Sequence, residues 1–131
     1  MLNDFPLAAF VATTNADRAR AFYGATLGLR LVHEDPFALV FDAHGTSLRV
    51  QRVQHVTPHP YTALGWQVAG IEQVIGDLQR AGVTLVRVEE IGQDERGIWT
   101  SPDGTRVAWF KDPDGNMLSV ADFTASRSST P

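Results

Sequence analysis

The order of elements in this sequence predicts an α+β fold made of two tandem βαβββ modules. Three observations carry the prediction. An apolar, strand-like run followed at once by an amphipathic helix occurs twice; each helix pattern stops at a glycine, Gly28 and Gly82; and strand-like segments separated by turn signals follow each glycine. Duplication of one unit explains all three.

In the first half, LAAFVAT (7–13) is apolar enough for a buried strand, and Asn15 then offers an N-cap to ADRARAFYGATLG. Ala19, Phe22 and Tyr23 share one face of that helix, while Asp17, Arg18 and Arg20 lie toward solvent. The strands LRLVHE, FALVFDA and TSLRVQRV follow, divided at Asp35-Pro36 and His44-Gly45. QHVTPHPYT, with Pro58 and Pro60, shows no periodicity and reads as a connection. The second half repeats the order. ALGWQVA is a strand, IEQVIGDLQRAG a helix with Ile71, Val74, Ile75 and Leu78 on one face, and VTLVRVEE the next strand; the loop IGQDERGIWTSPDG leads to TRVAWFK, the DPDGN turn and MLSVADF. The chain is expected to be one domain over 1–131, with module one about 5–54, a linker about 54–62, module two about 62–123 and a flexible tail at 124–131.

Composition narrows the functional classes. At 131 residues the chain can bury one real core, and 44% hydrophobic with 20% charged residues is the balance of a globular protein. A net charge of -4 with scattered Lys and Arg lacks the basic stripe that nucleic acid requires. No apolar run approaches the ~20 residues that span a bilayer, and the N-terminus has no basic leader region, so the expected location is the cytoplasm. Without cysteine there is no disulfide, thiolate nucleophile or Cys-ligated metal.

Two stretches, AFYGATLGLRL (21–31) and above all FKDPDGNMLSV (110–120), resemble the vicinal oxygen chelate superfamily of glyoxalase I, extradiol dioxygenases, and fosfomycin and bleomycin resistance proteins. The resemblance covers nearly the whole chain. It implies two curved half-barrels that enclose a cavity, the glyoxalase/bleomycin resistance/dihydroxybiphenyl dioxygenase-like fold, and pairing as a homodimer. The metal enzymes of that family present His, Gln or Glu at four equivalent strand positions, which here fall on Ala8, Arg49, Ala63 and Ser119. Two alanines have no donor atom, an arginine is a permanent cation, and a neutral serine hydroxyl is a weak ligand. No metal and no other cofactor is therefore expected.

If those four positions face a cavity, strand alternation brings others with them. Phe10, Leu39, Phe41, Arg49, Gln67, Trp109, Met117 and Ser119 form the expected ligand-binding set, mostly apolar and aromatic with few polar groups. An inward Arg49 calls for an anionic group or an internal acid, unless it is solvated. His55 and His59 fall in the connection, His44 beside a turn and His33 in a strand without a partner spacing for proton transfer. Asp112 and Asp114 sit in a tight turn, where carboxylates ordinarily cap backbone amides. Three readings follow: a metal-free protein that binds an apolar or aromatic small molecule with room for an anionic group; a glyoxalase-like lyase, isomerase or dioxygenase using atypical ligands or metal-free catalysis; and an interaction module whose cavity is filled by its own side chains.

Overall fold

The computed structural model describes residues 1–124 and divides into two compact units. The first comprises residues 1–58 together with Asp112–Asn116, and the second His59–Lys111 and the chain from Met117. Most of the tail expected at 124–131 lies outside the described residues. No helix among the described residues is long and apolar enough to cross a membrane.

In the first unit, strand β1 (Ala8–Thr13) leads into helix α1 (Ala16–Arg20), and strands β2 (Arg30–Glu34), β3 (Ala38–Ala43) and β4 (Thr46–Arg52) follow. Asn15 caps α1 as its residue type predicts, its side-chain oxygen accepting from the Arg18 amide at 3.0 Å. The helix then widens into a π-turn over Ala21–Thr26, closed by the Leu27 amide on the Phe22 carbonyl. Gly28 (φ 78°) takes the left-handed conformation that lets the chain turn into β2. The sheet order is β1-β4-β3-β2, with β1 parallel to β4 and the other pairs antiparallel. One sheet face buries Val11, Leu39, Phe41, Leu48 and Val50 beside Ala19 and Tyr23 of the helical segment. The Tyr23 and Phe41 rings lie 5.9 Å apart.

β3 and β4 are joined by His44-Gly45 alone, with φ of 53° and 91°. Positive φ at both positions is the signature of the type I′ turn, which favours Asn-Gly. His44→Asn is expected to stabilise the protein by about 0.5–1 kcal/mol, since asparagine tolerates the left-handed region better than histidine. An unchanged urea midpoint would show that the turn carries no strain.

In the second unit, β5 (Leu64–Gln67) precedes α2 (Ile71–Arg80), which Gly82 (φ 95°) terminates. Then come β6 (Trp99–Thr100), β7 (Arg106–Lys111) and β8 (Met117–Asp122), in the order β5-β8-β7-β6. This repeats the first sheet, with β5 parallel to β8. Ile71 and Ile75 of α2 are buried, as are Ala108, Phe110, Leu118 and Val120 of the sheet, and Trp66 stacks on Phe110 at 6.4 Å.

One strand assignment is corrected. VTLVRVEE contributes only a single bridge, Leu85 to Phe110, and the fourth strand is the short Trp99–Thr100. The reason is local competition for backbone groups. The Gln93 carboxamide accepts from the Val88 amide at 2.6 Å and donates to the carbonyls of Val86 at 3.0 Å and Gly97 at 2.9 Å. Groups that a ladder would use are already satisfied by a side chain.

Candidate functional site

On the first unit, register places Phe10 opposite Arg49, Arg49 opposite Val40, and Val40 opposite His33. Directly paired residues share a sheet face, so these four form a row across it. Phe10 is 52% exposed, and Arg49, half-buried beside it, has no ion-pair partner among the described residues. Ala8, opposite Ser47, lies one row further along the same face. The expectation that Leu39 and Phe41 belong there is corrected: they pair with Val50 and Leu48 and are buried in the helix-side core. The two-residue hairpin sets this parity, because pairing Ala43 with Thr46 makes Val40 the partner of Arg49.

On the second unit, Gly65, Ser119 and Trp109 form one row and Gln67, Ala121 and Val107 the next, with Met117 opposite Lys111. The expected grouping of Gln67, Trp109, Met117 and Ser119 on one face is the arrangement found. Ser119 is buried, and a Cβ built on Gly65 would come within 3.0 Å of its Oγ. Glycine gives β5 room for this approach, since a larger residue would require the hydroxyl to shift by a few tenths of an ångström.

Trp109 and Met117 join Pro60, Tyr61, Thr62, Val86, Val88 and Ile91 in lining a recess of about 310 Å³. Gln67 and Ser119 are not part of its lining. The Trp99 and Trp109 rings are 6.1 Å apart, and Tyr61 is stacked by His59 at 5.2 Å. The walls escaped sequence reading. Periodicity assigns Val86 and Val88 to a strand and Tyr61 to a connection without periodicity, and the alternation of Val86 and Val88 around an exposed Arg87 is the sequence signal for the wall.

The acids of the DPDGN turn have work beyond local capping. Asp112 accepts from the amides of Asp114 and Asn116, from Asn116 Nδ2, and from the Tyr23 hydroxyl at 2.6 Å. Burial, followed by the charge of Asp112, pushes the Tyr23 phenol far above its ordinary range. Asp114 accepts from Thr13 Oγ1 and from the amide and hydroxyl of Thr14. Desolvation opposes its ionisation, yet those hydrogen bonds outweigh it and hold the carboxyl below its usual value. Both are structural carboxylates engaged by the chain itself.

The four positions that the resemblance assigned to metal ligands do not fit a divalent cation. Ala8 and Ala63 have no donor, Arg49 repels a cation, and Ser119 offers one neutral oxygen. Among the described residues no three His, Asp or Glu side chains cluster as a metal site would need. His33 lies within 3.1 Å of Asp35 on an exposed strand, and His44, His55 and His59 are exposed.

In backbone course the chain is similar to a glyoxalase/bleomycin resistance protein/dioxygenase from Alicyclobacillus acidocaldarius, with a TM-score of 0.71 and 16% identity over 96% of each chain. It is similar also to lactoylglutathione lyase from Agrobacterium tumefaciens (TM-score 0.70, 15% identity, 90% of this chain and 92% of that one). TioX from Micromonospora sp. ML1 gives a TM-score of 0.68 at 19% identity over 90% of this chain and 98% of the other. At these identities the likeness speaks for the fold. No curated protein gives a significant sequence match. The model of the Glyoxalase/Bleomycin resistance protein/Dioxygenase superfamily matches residues 7–120, nearly the whole chain, and the protein belongs to that family.

Proposed function

We propose that this chain is a small-molecule-binding protein of the glyoxalase/bleomycin-resistance type that works without the family metal and holds an apolar or aromatic ligand. The observation that carries the reading is the recess of the second unit. Its size, about 310 Å³, is within the range of small-molecule sites, and apart from Thr62 and the Tyr61 hydroxyl its lining is apolar or aromatic. Burying about 150 Å² of apolar ligand surface there would contribute roughly 4 kcal/mol before the cost of association is subtracted. Trp109 offers a face for a planar ring. On the first unit, Arg49 beside Phe10 supports a place for an anionic group. The donor chemistry at Ala8, Arg49, Ala63 and Ser119 supports the absence of metal. Homodimer formation, a cytoplasmic location and the absence of nucleic-acid partners belong to the same proposal.

Two measurements test it. Protein purified without chelators is expected to carry metal far below one equivalent, and stoichiometric Zn, Ni, Mn or Fe would favour the metal-dependent lyase, isomerase or dioxygenase reading instead. In a thermal-shift screen, aromatic compounds are expected to raise the melting temperature of the wild type. Trp109→Ala should weaken the best of them by about tenfold, the loss of one aromatic contact with its buried area. Equal affinity for the variant would remove the recess from the reading.

A further inference from the structure

Resting on the reading of the recess as the binding site, we propose that Gln93 is a positioning residue that fixes the recess wall and so sets the size of ligand admitted. The wall comes from a segment with little backbone pairing of its own. Leu85 bridges Phe110 and the Val86 amide donates to the Trp109 carbonyl at 2.7 Å, after which the regular pairing stops. Val88 and Ile91 then stand on a 3-10 turn at Glu89–Ile91, followed by Gly92 in the left-handed conformation. A turn of three residues does not hold a wall against a sheet by itself.

The Gln93 carboxamide supplies what the ladder lacks. Its oxygen accepts from the Val88 amide, and its nitrogen donates to the carbonyls of Val86 and Gly97, so both its hydrogens and its acceptor tie the two ends of the loop. Two of the three backbone groups it holds belong to recess-lining residues. Arg87 backs the same loop, donating to the carbonyls of Asp94 at 2.5 Å and of Glu95. Arg87 points at the outer part of the loop, whereas Gln93 spans its neck. An amide with matched donors and acceptor holds one loop geometry, and a carboxylate of the same size cannot donate to either carbonyl.

The test compares two uncharged probes, which make no demand on Arg49: 1-aminoanthracene by its own emission and the smaller naphthalene by displacement of the first. Variants are Gln93→Glu, Gln93→Met and, as a recess-blocking control, Met117→Trp, each measured below its melting transition. Both Gln93 variants are expected to lose about tenfold in affinity for the smaller probe and no more than about twofold for the larger, as expected when a half-buried hydrogen-bonded wall is released. Met117→Trp is expected to abolish both. Equal losses for the two probes, or none, in folded Gln93 variants with Met117→Trp still blocking would overturn the role of Gln93 and leave the recess standing. Unchanged binding in Met117→Trp would overturn the recess and this inference with it.

Discussion

Asp112→Ala is expected to destabilise the protein by about 3–4 kcal/mol, read as a lowered urea midpoint with an unchanged slope. Asp112 is only 6% exposed, and its carboxylate accepts four hydrogen bonds, at 2.6 Å from the Tyr23 hydroxyl, 2.8 Å from Asn116 Nδ2, 2.9 Å from the Asn116 amide and 3.0 Å from the Asp114 amide. Removing it leaves donors stranded, among them the hydroxyl of a tyrosine with no exposed surface. A buried donor without an acceptor forfeits its hydration as well as its bond. Tyr23→Phe should be milder, about 1–2 kcal/mol, because Asp112 keeps its three remaining donors. A double-mutant cycle should show coupling between the two positions, and additive losses would mean that the bond contributes nothing of its own.

The neighbouring Asp114 adds a dependence on pH. Its folded carboxyl titrates below the unfolded value of about 3.9, so its contribution is fully present above that pH and is lost as pH falls through the folded value. Acid unfolding of Asp114→Asn should therefore show a smaller loss of stability below pH ~4 than the wild type.

Arg49→Met is expected to do two opposite things. It should remove at least about tenfold of the affinity for benzenesulfonate, followed through the Arg49 side-chain NMR resonance in the wild type and by calorimetry in both proteins. It should also raise stability by about 1 kcal/mol, since a half-buried guanidinium without an ionic partner gives way to an apolar side chain beside Phe10 and Val40. Gain in stability with loss of binding is the mark of a residue kept for a ligand. An Arg49 that is merely solvated would leave both quantities unchanged.

Much of the fold was legible because it rests on local chemistry. Asn15 caps its helix, Gly28 and Gly82 take the left-handed conformation, and the strands at Ala8–Thr13, Ala38–Ala43, Arg106–Lys111 and Met117–Asp122 lie where alternation and turn residues placed them. The site was legible only in part. Trp109, Met117, Ser119 and Gln67 share a face as expected, since one hairpin and one parallel pairing fix them. Leu39 and Phe41 cannot be assigned to a face from one strand alone, because facing parity depends on cross-strand register, which the His44-Gly45 turn determines.

The repeated βαβββ order and the family are legible in the sequence, because both follow from residue types and their local spacing. Only the tertiary structure decided that VTLVRVEE would yield its place in the sheet to Trp99–Thr100, that Asp112 would receive a phenol from 89 positions away, and that Val86, Val88 and Ile91 would wall a recess over Trp109. Each of those outcomes turns on a side chain competing for a distant partner. Gln93 and Asp112 satisfy groups that secondary structure would otherwise claim, and no periodicity in the chain records which competitor wins.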